Sequence, residues 1–207
     1  MYSSKDFYLE DLPSTLFPLN TNRVLVERGS SKLTTFALSL TQSDDLSFLP
    51  QRKVHANKDK FHLRRTVKLD AVAEFYLYDL VHRNRERFRK PHTPDRRRHF
   101  GYRFEGGRPI SASKSYASFR SAVFDARFRT EEFIAFDIAN YFNNIYHHDL
   151  HAWFAKLEPK NPEDVPAFGK FFREINAGRS TDCLPQGLYP TKMIGNDFLR
   201  FLEESST

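Results

Sequence analysis

The stretch Phe133–Phe142, FIAFDIANYF, decides how the fold is interpreted. Its apolar start, Phe133–Phe136 followed by Ile138, is interrupted by a single carboxylate, Asp137. A short apolar run bounded by charge favours a buried β-strand. A carboxylate at the end of such a strand is costly to bury unless a cation or hydrogen-bond donors meet it. The pattern therefore predicts that Asp137 faces a site.

A second informative segment, Asp182–Thr191, reads DCLPQGLYPT and leads into an apolar, helix-like stretch. Gly187 allows the backbone to approach a ligand closely, and Pro185 stiffens the turn before it. Each segment alone is weak evidence, because an aspartate after an apolar run and a Pro-Gln-Gly turn are both common. Their occurrence together, in this order, gives them weight.

The composition fits a folded globular protein and not a disordered chain. The 207 residues include 40% hydrophobic and 28% charged residues. No run approaches the roughly 18 apolar residues of a membrane span, and the polar start Met1–Asp6 is unlike a signal peptide. The single cysteine, Cys183, cannot form an internal disulfide. We expect a cytoplasmic protein with no membrane partner.

Positive charge is concentrated in one part of the chain. The formal net charge is +6, and basic residues cluster between Arg83 and Arg103, with a run at Arg96, Arg97 and Arg98. Such density predicts a polyanionic partner. The alternative is a solvated helix face followed by a charged loop, because charge runs are commonly wet surface.

Hydrophobic periodicity predicts a mostly helical chain. Apolar positions three to four residues apart indicate helices over about 72–81, 150–157 and 166–177, and from near Lys192. Strand signals are confined to Phe133–Ile138 and, more weakly, to Asn22–Val26 and Phe61–Val67. Prolines interrupt the first 55 residues, which we expect to form short elements. The predicted class is α+β, mostly helical with a short antiparallel sheet.

Several segments together resemble bacterial reverse transcriptases. The resemblance covers about residues 61–207 and rests on Phe100–Arg103, on Phe136–Ile138 with Tyr141–Phe142, and on Leu184–Gly187. The extended segments Asn140–Leu150 and Tyr189–Lys192 look more like the defence-associated, abortive-infection branch than like group II intron enzymes. The resemblance therefore implies an RNA-directed DNA polymerase with a role in antiphage defence.

The resemblance also implies a domain organisation. The fold would be a right-hand polymerase with fingers and an incomplete palm. Residues 1–55 would be an N-terminal extension and residues 56–130 a fingers-like region. Residues 131–207 would be a partial palm that carries the first catalytic-aspartate motif and the Leu-Pro-Gln-Gly motif.

The family's chemistry assigns roles to the residues of the two motifs. Nucleotidyl transfer uses two Mg²⁺ ions about 4 Å apart, held by converging carboxylates. The resemblance makes Asp137 one metal ligand and catalytic residue, with the backbone carbonyl of Ile138 as another ligand. The ring of Phe142 would lie under the sugar of the incoming nucleotide and exclude ribonucleotides, core packing being the alternative. Gln186 and Gly187 would lie beside the nucleotide.

Basic residues outside the two motifs are assigned to phosphate groups. Arg64, Arg65 and Lys68 resemble the fingers strand that holds the triphosphate. An exposed basic strand is the alternative. Arg103 and Asn196 would contact nucleic acid together with the run at 96–98. The implied partners are an RNA template, a DNA or protein primer, and deoxynucleoside triphosphates.

One feature of the family lies outside the 207 residues. Its second carboxylate pair, in an aromatic-x-Asp-Asp hairpin, should follow the Leu-Pro-Gln-Gly helix. With Asp137 as the one catalytic carboxylate, we expect the isolated chain to be inactive unless a C-terminal palm and thumb are supplied in cis or in trans. Two other functions stay open. One is a non-catalytic nucleic-acid-binding module, and the other is a template-independent, protein-primed DNA polymerase.

Overall fold

The computed structural model describes residues 2–58, 62–88, 99–127, 134, 137–182 and 184–204. Within these ranges the chain forms eight α-helices and two antiparallel sheets of two strands each. The helices are Ser4–Asp11 (α1), Asn20–Gln42 (α2), Ala71–Arg83 (α3), Ala112–Arg127 (α4), Tyr141–Asn144 (α5), His147–Lys156 (α6), Asp164–Ile175 (α7) and Tyr189–Glu204 (α8). The strands are Arg52–Lys58 (β1), His62–Lys68 (β2), Phe104–Glu105 (β3) and Arg108–Pro109 (β4). The predicted class, mostly helical α+β, is confirmed, although the structure has two short antiparallel sheets where one is predicted.

The N-terminal part of the chain contains two helices. A reciprocal capping box begins α1, in which the Ser3 hydroxyl accepts from the Asp6 N–H and the Asp6 carboxylate accepts from the Ser3 N–H. Helix α2 runs for 23 residues and is kinked at Gly29, where φ is −134°. The predicted strand at Asn22–Val26 is wrong. Asn22 and Val26 are one helical turn apart in α2, and both are buried.

One aromatic core joins the helices of the chain. The helices predicted by periodicity are all present, as α3, α6, α7 and α8. Phe154 of α6 stacks on Phe168 of α7, with ring centroids 4.1 Å apart. The largest fully buried aromatic side chains come from α1, α3, α6 and α7, and they are Phe7, Tyr8, Phe75, Tyr76, Tyr78, Phe154, Phe168, Phe171 and Phe172. The N-terminal helix therefore shares its core with the rest of the fold.

Strands β1 and β2 form the larger hairpin. Arg52 pairs with Lys68 at one end and Lys58 with His62 at the other. The weak strand signal over Phe61–Val67 is confirmed, since β2 covers all of it except its first residue.

The predicted strand at Phe133–Ile138 is not formed in the part of it that the structure describes. Ile134, Asp137 and Ile138 belong to no strand, and Ile134 is 91% exposed. An apolar run becomes a strand when a neighbouring strand satisfies its backbone groups, and none of the described strands pairs with these residues. Phe133, Ala135 and Phe136 lie outside the described residues.

The structure also bears on membrane contact. None of the helices in the described part of the chain has both the length and the apolar character that a bilayer span requires.

Candidate functional site

The segment from Asp137 to Asn144 turns sharply before α5. Asn140 adopts the left-handed conformation, with φ of 52°, and its carbonyl accepts from the Asn143 N–H at 3.0 Å. Asparagine tolerates this conformation better than most residues. Asp137 precedes the turn and is exposed, and it forms no hydrogen bond or ion pair with any other described residue. Its carboxylate is therefore accessible to solvent.

The Leu184–Gly187 turn is held in place by the loop before it. The buried Asn176 donates from its side-chain amide to the carbonyls of Arg179 and Thr181, at 2.5 and 2.6 Å. Gln51 Nε2 donates to Asn176 Oδ1 at 3.0 Å and to the Asp182 carbonyl at 2.7 Å. The loop therefore enters the turn from a fixed position.

Asn143 joins the two motif segments. The side-chain amide of Gln186 donates to Asn143 Oδ1 at 2.6 Å. The backbone N–H of Asp182 donates to the Asn143 carbonyl at 3.0 Å. Asn143 is in α5, a few residues after Asp137, so these bonds hold the Pro-Gln-Gly turn against the segment that follows the carboxylate.

Phe142 packs against helix α8. A Cβ atom at Gly195 would lie 2.9 Å from Phe142 Cε1, so only glycine leaves room for the ring in this position. The neighbouring Tyr141 hydroxyl donates to the Gly195 carbonyl at 2.6 Å. The ring of Phe142 is half-buried, which means that core packing accounts for one of its faces.

The Phe100–Arg103 segment also packs on α8. The rings of Tyr102 and Tyr189 meet edge to face, with centroids 4.9 Å apart. A Cβ atom at Gly101 would lie 2.9 Å from Cγ of Asn196. The amide of Asn196 donates to a carbonyl of its own helix. Tyr141, Phe142 and the Phe100–Arg103 segment thus contact α8, the helix that directly follows the Leu184–Gly187 turn.

Two of the basic residues assigned to ligand contact are used inside the fold. Arg103 is 8% exposed, and its guanidinium binds the Glu105 carboxylate at 2.6 and 2.9 Å. These hydrogen bonds lower the pKa of Glu105. Lys68 forms an ion pair with the fully buried Glu74. Sequence patterns could not reveal that these two cations form ion pairs inside the fold. The exposure of a side chain and the carboxylate that it binds are known only from the folded structure.

The other assigned cations are described less completely. Arg64 and Arg65 pair through their backbones with Ala56 and His55 in the β1–β2 hairpin. Arg96–Arg98 lie outside the described residues. At the start of the same basic cluster, Arg83 forms ion pairs with carboxylates at 2.5 and 2.8 Å and so contributes to packing.

Gly187 is required by the fold itself. Its φ of 97° is unfavourable for any other residue. A Cβ atom there would lie 2.6 Å from Leu16 Cγ. The sequence predicts that a ligand approaches this glycine closely. In the structure the group that does so is the side chain of Leu16, from the N-terminal segment.

A residue that the sequence analysis missed, Asp11, anchors α8. Its carboxylate accepts from the Tyr78 hydroxyl at 2.5 Å and from the Tyr189 N–H at 2.9 Å. Burial raises the pKa of this carboxyl group. A negative group at the start of a helix is favourable. No local pattern marks Asp11, because its partners are distant in sequence.

The donors for a metal are few. Among the described residues there is no group of three or more histidine, cysteine, aspartate or glutamate side chains that could hold an ion. Asp137 and the Ile138 carbonyl alone do not fit a magnesium site, since Mg²⁺ requires near-octahedral oxygen coordination. The sequence matches no protein-family model, and a comparison with curated proteins gives no match.

Proposed function

We propose that the chain forms the nucleotide-binding part of an RNA-directed DNA polymerase of the reverse-transcriptase class. The observation that carries the proposal is the 2.6 Å hydrogen bond from Gln186 to Asn143. It joins two segments that resemble polymerase motifs and that are far apart in sequence. Helix α8 connects the third such segment, Phe100–Arg103, to the other two. Tyr102 contacts Tyr189, and Gly101 lies close to Asn196.

In this proposal the accessible carboxylate of Asp137 is the catalytic group that the chain contributes. Because Asp137 and the Ile138 carbonyl are too few ligands for two magnesium ions, further carboxylates would come from a palm segment supplied in cis or in trans. Phe142, fixed against Gly195, would restrict the space available for a 2′-hydroxyl group. Gln186 would lie beside the incoming nucleotide. An RNA template and a DNA or protein primer would complete the assembly.

Primer extension tests the proposal. The chain is supplied with the C-terminal palm and thumb of a bacterial reverse transcriptase, in cis or in trans. Incorporation of deoxynucleotides on an RNA template is then measured with Mg²⁺. We expect extension that Asp137→Asn reduces by about 100-fold or more, because a charged group at the reaction centre is lost. Asp44→Asn, which removes an exposed carboxylate just beyond α2, should leave the rate unchanged.

Two outcomes would contradict these assignments. Primer extension that is retained in Asp137→Asn would show that Asp137 is not a catalytic residue. Unchanged discrimination against ribonucleotides in Phe142→Ala would leave the ring as core packing alone. Synthesis without template, detected by sequencing the products, would instead favour a template-independent polymerase.

A non-catalytic nucleic-acid-binding module is the second candidate. It is favoured by the lack of a three-ligand metal group among the described residues. Its binding should fall steeply with salt and be indifferent to Asp137→Asn. Binding should be lost when Arg96, Arg97 and Arg98 are changed to alanine.

A further inference from the structure

A groove of about 420 Å³ lies between the end of α2 and helices α6 and α7. Five basic or titratable side chains line it, namely His147, His148, His151, Lys170 and Arg173. No carboxylate is among the described residues that line it. We call this surface the histidine groove.

The shape of the groove depends on Gly169. A Cβ atom at this position would lie 2.7 Å from His151 Cδ2 and 3.1 Å from Nε2. Glycine in mid-helix is less favourable than alanine, so it is expected where close packing requires it. Gly169 therefore allows the imidazole of His151 to lie against α7.

One side chain that lines the groove has a polar atom without a hydrogen-bond partner among the described residues. Nδ1 of His147 is buried and forms no hydrogen bond within the described structure. Leaving such a group unpaired is unfavourable. The adjacent ring of His148 lies 5.0 Å from that of His147. Each imidazole carries at least one N–H donor, so His147, His148 and His151 together can offer hydrogen bonds to an anion in the groove.

The charges of the groove indicate an anion. The Lys170 ammonium donates to the carbonyls of Ser43 and Leu46 and lies 3.6 Å from Glu174, which offsets part of its charge. Arg173 is exposed and forms no ion pair with any described residue. The only acid in the first turn of α6, Asp149, does not line the groove.

The histidines do not converge on a metal. No trio of potential ligands in the described ranges has the geometry to hold an ion. The N-terminus of α6 adds a partial positive charge beside His147 and His148. No side chain caps it, although the His147 N–H donates to the Ser180 carbonyl. Phosphate oxygens match this combination of imidazole, guanidinium and helix terminus.

An exposed aromatic ring next to His148 favours a nucleic acid as the source of the phosphate. Tyr146 is 47% exposed, and its ring lies 5.5 Å from that of His148. Exposed rings next to a basic groove are typical of single-strand binding, in which cations contact the backbone and bases stack on the rings. We propose that the histidine groove binds a phosphate group of a single-stranded nucleic acid, with a base stacked at Tyr146 and His148. The proposal goes beyond the polymerase assignment, because none of these side chains belongs to that site.

Fluorescence anisotropy with a labelled oligothymidylate of about 12 nucleotides measures this binding directly. The double variant His151→Gln/Arg173→Gln should raise Kd about tenfold. It should also lower the dependence of log K on log salt by about 1, because a phosphate contact is lost. Arg28→Gln removes an exposed arginine of α2 and should change Kd by less than about twofold.

Gly169→Ala tests whether binding depends on the shape of the groove when its charge is unchanged. It leaves the net charge unchanged but displaces His151, so Kd should rise by about threefold or more. Circular dichroism shows whether each variant is folded. Unchanged Kd in both the folded double variant and folded Gly169→Ala would overturn the proposal. Imidazole NMR signals of His147, His148 and His151 in the unmodified protein should shift when the oligonucleotide is added, and unshifted signals would also overturn it.

Competition distinguishes a nucleic-acid strand from a free nucleotide. Displacement of the oligonucleotide by thymidine triphosphate, and more weakly by inorganic phosphate, would support phosphate recognition in the groove. Binding of the triphosphate with no binding of the oligonucleotide would overturn the single-strand assignment. Because the readout is binding to the 207-residue chain, a failure of primer extension would not affect it.

Discussion

The ion pair between Lys68 and Glu74 shows how a single buried carboxylate responds to pH. The Glu74 side chain is fully buried and also accepts from the Tyr8 hydroxyl at 3.1 Å. Burial raises its pKa, and the nearby Lys68 opposes this rise. The folded state therefore holds the Glu74 proton more tightly than the unfolded state does. The resulting stability is complete below the ordinary carboxyl pKa and is lost as pH rises through the raised value.

Lys68→Met should destabilise the protein in a pH-dependent way. At about pH 8 the uncompensated Glu74 carboxylate should cost about 3 kcal/mol of unfolding free energy. At about pH 5 the loss should be smaller, because Glu74 takes up a proton more readily without Lys68. Urea unfolding at the two pH values measures the difference. Lys53→Met, at an exposed position of β1, should cost less than about 0.5 kcal/mol. An equal loss at both pH values would contradict the electrostatic explanation.

At the scale of elements, Tyr189 connects the start of α8 to the β3–β4 hairpin. Its hydroxyl lies 2.9 Å from the Arg103 carbonyl and 2.8 Å from the Ile110 carbonyl. These two acceptors flank the hairpin, so one buried hydroxyl orients the whole segment against the helix.

Tyr189→Phe should loosen this connection without changing the packing of the ring. Loss of the buried hydroxyl should cost about 1–2 kcal/mol, because the Ile110 carbonyl and the Arg103 N–H lose a hydrogen-bond partner. Amide hydrogen exchange should accelerate around residues 103–110. Tyr116→Phe, at a side chain that is 62% exposed, should have no such effect. Exchange that stays slow in Tyr189→Phe would show that the ring contacts alone hold the hairpin.

A helix could be predicted from the sequence when its buried residues recur at regular intervals. Helix α7 has Phe168, Phe171, Phe172 and Ile175 on one buried face, and its periodicity was therefore sufficient. Helix α2 buries only Asn22, Val26, Ala37 and Leu40 along its length, too sparse a pattern to indicate a helix. The apolar run at Phe133–Ile138 predicted a strand that is not formed in its described part. Local hydrophobicity does not show whether a neighbouring strand is present to pair with it.

The candidate site was predictable only in part. Its motif residues Asp137, Phe142 and Gln186 could be chosen from the sequence because they lie in recognisable segments. The contact between Gln186 and Asn143 could not, since hydrogen bonds between distant segments leave no periodic signal. The histidine groove was missed for the same reason. His151 and Arg173 belong to different helices, and their proximity results from the packing of α6 against α7.

Across the molecule, Phe7 contacts residues in the other two of the three regions, 1–55, 56–130 and 131–207, that the sequence analysis predicts. Its ring meets Tyr78 and Phe104 at 5.0 Å and Tyr189 at 5.5 Å. These partners belong to α3, β3 and α8. The aromatic core therefore runs across the boundaries near residues 55 and 130, and we expect cooperative unfolding.

Phe7→Ala tests this cooperativity. Removal of the fully buried ring should lower the free energy of unfolding by about 3–5 kcal/mol. Trp153, the single tryptophan, reports on the α6–α7 region through its fluorescence. Its transition should shift together with the far-ultraviolet circular dichroism. Leu25→Ala, at a half-exposed position of α2, is the control and should shift both only slightly. A fluorescence transition that Phe7→Ala leaves in place would indicate separately folding domains.

The bond from the Tyr189 N–H to Asp11 spans 178 residues of sequence. During synthesis on the ribosome, the first helix emerges long before the helix whose start it caps. Contacts between such distant parts of a chain slow folding, because a large loop must close before they form. Helices α2 and α3 can cover most of α1 earlier, but the part of the Phe7 ring that meets Tyr189 stays uncovered, within reach of chaperones, until residue 189 has left the exit tunnel.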